Sequence, residues 1–368
     1  MTVVAALALL VWVYLLFGHG RFWQGGPLLE PAQSAIVPTV AIVVPARDEA
    51  ATIEAALRSL LAQDYPGTFR IILVDDESTD TTGARARALD DSRLTVIAGQ
   101  ARPAGWSGKL WAVAQGIEEA EEAEMILLTD ADIVHDPRHL SALAAKIERC
   151  DMVSEMVELS CASLPEAALV PAFVFFFQLL YPFAWVNDKL RATAAAAGGT
   201  ILVRRRALAR IGGIGAVRGA LIDDVALAVA VKRGGPIWLG HSTLARSVRA
   251  YPHVADIWRM VARTAYVQLR YSPFLLLGCV LGMALTWLVP PLAAIAGHGA
   301  ARVMGVLAWA AMAWAYLPTL RRFRLFPLWA SFLPLVALFY TAATIGSALN
   351  HHLGHGVTWK RRAYTGAA

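Results

Sequence analysis

No Asp or Glu occurs in residues 257–368, although the chain carries 28 of them in all. A soluble domain spreads both signs of charge over its surface, so an acid-free run this long, rich in Leu, Ala, Trp and Phe, points to lipid rather than water as its surroundings. Three apolar stretches divide it, about Pro273 to Gly297, Val303 to Leu320 and Phe326 to Leu349. A fourth opens the chain as MTVVAALALLVWVYLLFG, without a charge before Gly18. It has no Lys or Arg ahead of the apolar run and no small-x-small cleavage pattern after it, so an uncleaved anchor is expected rather than a signal peptide. The expected layout is an anchor at 1–18, transmembrane helices within 273–349 and a basic tail at 350–368.

Charge follows the same division. Seven basic residues and no acids lie after Tyr271, and without them the chain holds 26 basic residues against 28 acidic ones. The net +5 therefore belongs to the apolar tail. Basic residues flanking membrane spans produce such a balance, whereas a nucleic-acid-binding face needs them clustered on the folded domain, so no nucleic-acid partner is expected. The run RRFR at 321–324 is expected to face the cytoplasm, as is WKRR near the end. Four strict crossings would separate the middle of the chain from that tail, so one segment, the head or the one holding Pro290 and Pro291, is expected not to cross fully. Three cysteines, Cys150, Cys161 and Cys279, form neither a disulfide framework nor a zinc pattern, which suits the reducing side of a membrane.

Between the apolar ends, short apolar runs alternate with helical patterns, the form of a mostly parallel α/β sheet. VAIVVP, FRIILVDD, LTVIAG and EMILLTDAD read as strands, and EAATIEAALRSLLAQ, TDTTGARARALD and GKLWAVAQGIEEAEE as the helices among them. Ligands of open α/β sheets lie beyond the carboxyl ends of the strands. Three strands run into acids there: Asp48 and Glu49, Asp75 and Asp76, Asp130 and Asp132. Carboxylates gathered at one edge repel each other unless a cation or hydrogen-bond donors receive them. Blander roles stand beside this one. Asp48 and Glu49 suit the first turn of a helix, Asp75 and Asp76 suit a turn, Lys109 suits a solvated surface, and Asp223 with Asp224 suits a helix cap. His241 reads as structural sooner than as a ligand, and no G-x-G-x-x-G follows the first strand.

VVPARDEA, ILVDDESTD, GKLWAVAQG, LLTDAD and ALIDDVAL resemble, in order and spacing, the motifs of family 2 glycosyltransferases with a GT-A fold, over roughly residues 38–272. With PAFVFFFQLLYPFAWVND, AAAAGGTILVRR and YVQLRYS, the chain more closely resembles the hopene-associated glycosyltransferases, and less closely the ceramide glucosyltransferases. The resemblance implies a nucleotide-sugar site, for a UDP-sugar, made by Pro45, Ala46, Asp48, Glu49, Asp75, Asp76, Lys109, Asp130 and Arg270. One of Asp75 and Asp76, Asp76 ahead of Asp75, would bond the uracil with the other near the ribose, and Lys109 and Arg270 would face the diphosphate. It implies Mg²⁺ or Mn²⁺ on Asp132 and Asp130, and a proton-accepting carboxylate at Asp224 with Asp223 beside it. Asp-Asp stands where the family usually has Glu-Asp. Around Arg270 the chain departs from the processive members' chain-end motif, which weighs against a polysaccharide synthase; an inactive scaffold on the same frame is the other alternative.

Leu169 to Asp188 is apolar and long enough to span, yet a crossing there would part the metal motif from Asp224. It is expected to lie along the membrane surface, with Tyr181 and Trp185 at headgroup level, or else to be a buried core helix. With Gly198 and Gly199, these two residues are the candidates for the acceptor site. The expectation is thus a multi-pass protein of a bacterial inner membrane, its catalytic domain in the cytoplasm, moving a sugar with inversion onto a lipid hydroxyl, hopanoid or other isoprenoid-derived.

Overall fold

The computed structural model describes residues 1–120 and 122–353, with the backbone pairing of 358–359 to 362–363. The chain forms two compact units. Pro27–Ser160 and Trp185–Ala250 build a sheet unit, while Met1–Gly26, Cys161–Ala184 and the described residues of Tyr251–Val357 build a helical unit.

The sheet unit holds nine strands: β1 (Leu28–Leu29), β2 (Val40–Ala46), β3 (Phe69–Asp75), β4 (Leu94–Ala98), β5 (Met125–Thr129), β6 (Ile133–His135), β7 (Met152–Glu158), β8 (Thr200–Arg204) and β9 (Ile237–Ser247). Their order is β1-β9-β7-β8-β5-β2-β3-β4, with β6 paired to β9. Every residue of β2 and β5 is buried, as expected of parallel strands covered on both faces. Helix Ile53–Leu61 shows why the cover forms: Ile53, Ala56, Leu57 and Leu60 repeat on one face and are all buried. Helix Gly108–Glu119 lies closer still, because a Cβ on Gly116 would stand 2.4 Å from a Val43 methyl carbon. Only glycine permits that approach.

Strand β8 runs antiparallel to both β5 and β7, while β7 and β9 run parallel. The carboxyl ends of β2, β3, β5, β7 and β9 thus share one edge with the amino end of β8. The reversed strand delivers Gly198 and Gly199 to the edge where the acids end.

The helical unit accounts for the apolar segments. Three helices, Pro273–Ala296, Gly299–Arg322 and Pro327–His352, are long and apolar enough to cross a membrane. The head forms a helix over Thr2–Phe17, whose 16 residues rise about 24 Å, short of the ~30 Å hydrocarbon core. The π-turn Ala284–Leu288 just before Pro290 carries the first of the three past its prolines.

Within the span 38–272 that the motifs cover, 161–184 and 251–272 fall in the helical unit. The cause is local. Ser163 and Glu166 form a capping box that starts helix Leu164–Leu180. Its Phe175 and Phe176 then meet Trp287, Tyr316 and Tyr340 edge-on at centroid distances of 5.0–6.1 Å. The apolar stretch Leu169 to Asp188 is therefore two helices: its first part continues helix Leu164–Leu180, and Phe183–Asn187 forms a second, short one.

Candidate active site

Four charged side chains gather at the carboxyl edge. Ser107 accepts the Leu110 N–H and caps helix Gly108–Glu119, which places Lys109 in its first turn. The Lys109 ammonium lies 2.8 Å from Asp130 Oδ1, beyond the end of β5, and 3.6 Å from Asp223 Oδ2. Asp223 and Asp224 open helix Asp223–Lys232. The cap position is held by Ile222, whose side chain caps nothing, so the acidic pair sits inside the first turn at the positive end of the helix dipole. Pro45, Lys109, Asp130, Gly198, Asp223 and Asp224 help to line a cavity of about 20 Å³, room for about one water.

Crowding these charges shifts their protonation. Burial, then the charge of Asp223, pushes Asp224 up to about 7, opposed by Lys109 and by N–H bonds from Val225 and Gly198. Burial also raises Asp130, against the pull of Lys109, with Asp132 and Asp223 adding to the rise. For Lys109 burial works against the charge, but Asp130, Asp223 and Asp224 together outweigh it and hold the ammonium above its ordinary range. The result is one firmly charged cation, and a carboxyl at Asp224 poised to gain or lose a proton near neutral pH.

The other expected acids fall into a second group. Asp132 Oδ2 accepts from Arg249 Nε at 2.8 Å and from Ser247 Oγ at 3.1 Å, and Arg249 also donates to Glu49 Oε1 at 2.6 Å. Arg249 thus clamps the ends of β2, β5 and β9 together. Asp48, at φ 50°, accepts from the N–H and hydroxyl of Thr79, and the N–H bond above all holds its carboxyl below the usual range. Asp48 and Glu49 both precede helix Ile53–Leu61, so the first-turn alternative does not hold for them. Asp75 forms a turn by accepting the Ser78 N–H at 3.2 Å. Asp76 is fully buried, 3.7 Å from the Arg47 guanidinium. Burial there leaves Asp75 the more exposed of the two. Pro45 and Ala46 close β2, and the Ala46 carbonyl accepts the Asp76 N–H at 2.8 Å.

Not every expected site residue joins this edge. Arg270 and Tyr181 belong to the helical unit, where Gln268 donates to the Tyr181 hydroxyl at 2.6 Å. The Trp185 ring lies under the Arg191 guanidinium at 5.4 Å. His241 is buried within β9. Gly198 does join: a Cβ there would stand 3.2 Å from Asp224 Oδ2. Arg47 and Arg249 were missed from sequence. The signal for Arg249 was present, because an acidic strand edge needs cations, but its spacing named no partner.

Among the described residues no group of three or more His, Cys, Asp or Glu could by itself hold a metal ion. Asp130 and Asp132 nevertheless supply hard oxygen donors one residue apart, and Asp132 Oδ1 accepts no hydrogen bond among the described residues. Mg²⁺ takes one or two carboxylates and completes its shell with phosphate and water, so these two residues fit an ion brought in with a diphosphate.

An open, mostly parallel sheet with an inserted antiparallel strand and an acidic carboxyl edge defines a GT-A glycosyltransferase frame. The chain belongs to glycosyl transferase family 21, whose family model matches residues 3–365. That is a glycosyltransferase family, as the motifs implied, though under another number than the one they resembled. No curated protein matches the sequence. The fold is similar to that of the mannosyltransferase PcManGT from Pyrobaculum calidifontis in complex with GDP-Man and Mn²⁺, with TM-score 0.54 and 19% identity over 94% of this chain and 99% of that one. TarS from S. aureus matches at TM-score 0.42 and 19% identity over 62% of this chain and 40% of its own. Glucosyl-3-phosphoglycerate synthase from Mycobacterium tuberculosis matches at TM-score 0.38 and 19% identity over 61% and 76%.

Proposed function

We propose that this protein is a membrane-bound inverting glycosyltransferase that moves a sugar from a nucleotide sugar, a UDP-sugar by its motifs, to a lipid hydroxyl. The observation that carries this reading is the juxtaposition of Lys109 and Asp130 with Asp224 at one cavity. A displacement at the sugar carbon needs a cation beside the departing diphosphate and a base beside the incoming hydroxyl, and these residues supply both within one site.

Asp224 removes the acceptor proton. At about 7, its affinity for a proton suits a general base working near neutral pH. Lys109 faces the diphosphate, and its charge is kept by three carboxylates. Asp130 and Asp132 would hold Mg²⁺ or Mn²⁺, which when bound neutralises charge on the leaving diphosphate. Arg249 sets the position of Asp132 and Glu49 so that both stay at the edge. General-base and electrostatic contributions of this kind are each worth about 3–5 kcal/mol in a transition state.

The lipid acceptor is supported by three helices apolar enough to cross a bilayer in the same chain. Tyr181, Trp185, Gly198 and Gly199 remain our candidates for its site, and Arg270 for a further diphosphate contact. A hopanoid or other isoprenoid-derived lipid is the acceptor class that the motifs favour, in a bacterial inner membrane with the sheet unit in the cytoplasm. The test is incubation of the purified full chain with a panel of nucleotide sugars and bacterial lipid extract, followed by mass analysis of the lipids. A hexose-sized gain on a lipid is expected. Nucleotide sugars left intact with every lipid fraction would refute the proposal.

A further inference from the structure

Behind the acidic edge runs a line of buried polar side chains with no place in the chemistry above. Thr129, His135, His139 and Glu155 are each at most 4% exposed. The Thr129 hydroxyl donates to the Gly199 carbonyl at 2.9 Å and lies 3.2 Å from His135 Nε2. His135 Nδ1 lies 2.9 Å from His139 Nδ1, and His139 Nε2 lies 2.5 Å from Glu155 Oε1. Four buried polar groups in series are costly unless each finds a partner, so their arrangement calls for an account.

The carbonyl at one end sets the direction of the bonds nearest to it. A carbonyl only accepts, so the single hydroxyl proton of Thr129 goes to Gly199. Thr129 must then accept from His135 Nε2–H. Burial, together with the neighbouring His139, drives His135 well below its ordinary range, so that ring is neutral and its Nδ1 is an acceptor. His139 Nδ1–H donates to it, and the last proton lies between His139 Nε2 and Glu155. From His139 the donors thus run one way, to the Gly199 carbonyl.

A second buried group grips the same backbone two residues earlier. Ser154, fully buried beside Glu155 on β7, accepts the Ala197 N–H at 2.8 Å and donates to the Ala197 carbonyl at 3.1 Å. Gly198 is left between two tethers, directly against the Asp224 carboxylate. Room there is small: a Cβ on Gly198 would meet Asp224 Oδ2 at 3.2 Å and Lys109 Nζ at 3.5 Å.

We propose that Ser154 and the series Thr129, His135, His139 and Glu155 are positioning residues that hold the 197–199 backbone so that Gly198 stays packed against the Asp224 carboxylate and fixes its orientation. The inference rests on Asp224 being the proton acceptor. It assigns the buried series a job in catalysis without contact to substrate: a loosened Gly198 would leave the base misdirected while donor binding at Lys109 and Asp130 continued.

The test uses the full-length protein in detergent and two readouts. Thr129→Val keeps shape and removes the hydroxyl, whereas Thr129→Ser restores it. In the Val variant, hydrogen exchange at Ala197 to Gly199 should quicken by about tenfold or more, with helix Gly108–Glu119 unchanged. kcat should fall about tenfold with donor KM within about threefold, and Thr129→Ser should recover both readouts. Ser154→Ala, which cuts the other tether, should give the same split and serves if the Val variant does not fold. The proposal is overturned if exchange at 197–199 is unchanged, if it quickens equally in helix Gly108–Glu119, if kcat and KM deteriorate together, or if Ser fails to rescue. Should the wild-type chain turn over no nucleotide sugar, the glycosyl-transfer reading falls, and the exchange measurements alone still decide the tether.

Discussion

Replacing Asp224 by Asn should cost the protein its activity and add to its stability. The carboxyl stands at about 7 against an ordinary 3.8, because burial and Asp223 both oppose its charge. A gap of that size corresponds to about 4 kcal/mol, at about 1.4 kcal/mol per unit. The sign follows from which state holds the proton. Between the two values the folded chain keeps a proton that the unfolded chain has lost, so stability falls as pH rises through that window and is lowest above about 7. Asn carries no such cost and can still accept the Val225 N–H that now reaches Asp224 Oδ1. With its attraction to Lys109 forgone, the variant should gain on the order of 1–3 kcal/mol at pH 8 and almost nothing at pH 4. The assay is thermal unfolding of both proteins across that range, in chelator, alongside donor binding and transfer. Transfer should fall by about 10² or more with donor affinity within about threefold. Near-wild-type transfer would move the base to Asp223. A melting temperature with the same pH dependence in both proteins would refute the raised carboxyl itself.

Chelation should abolish nucleotide-sugar turnover and Mg²⁺ or Mn²⁺ restore it; full activity in excess chelator would remove the metal from the reading. Asp132→Asn should weaken metal and donor together by about tenfold or more, the reverse of the pattern at Asp224, as measured by calorimetric titration. Arg249→Met should lower stability by about 1–3 kcal/mol, less than for a fully enclosed pair because the arginine is 33% exposed, and an unchanged thermal midpoint would show that the clamp on Glu49 and Asp132 holds nothing. Cysteines introduced near Asp76 and Asp132 should be labelled from the cytoplasmic side; labelling only from the opposite side would rule out cytoplasmic nucleotide sugars.

Much of the frame was legible because parallel strands covered on both faces are continuous apolar runs, and VAIVVP, IILV and MILLT stand out among charged helices. The acids at their ends were legible for the same reason, lying where a buried run stops. The reversal of β8 was not, since TILVR has the same composition whichever way it runs and only its pairing with β5 and β7 sets its direction. Nor was the two-residue β1, which exists only because β9 offers it an edge. The helical unit's claim on 161–184 was hidden too. An apolar helix carries no mark of whether sheet, helices or lipid will cover it, and there the aromatic neighbours decide. Least legible were the buried polar partners. His135 and His139 sit four apart, the spacing of a shared helix face, yet one closes a strand and the other opens a helix.

The acid edge also bears on why, in the proposed reaction, Asp224 among its carboxyls is the one to act as the base. Glu49 and Asp132 share Arg249, Asp48 is satisfied by Thr79, Asp76 faces Arg47, and Asp130 has Lys109 at 2.8 Å. Among the described residues Asp224 has no ion pair of its own; it receives the Val225 N–H bond and a share of the Lys109 charge, while Asp223 pushes against it. Hydrogen bonds from neutral N–H groups orient a carboxylate but relieve less of its desolvation than a guanidinium would. In the proposed reaction, a carboxyl with burial and Asp223 set against its charge stands near neutrality, and its orientation then depends on the backbone of Gly198 and Val225 packed around it.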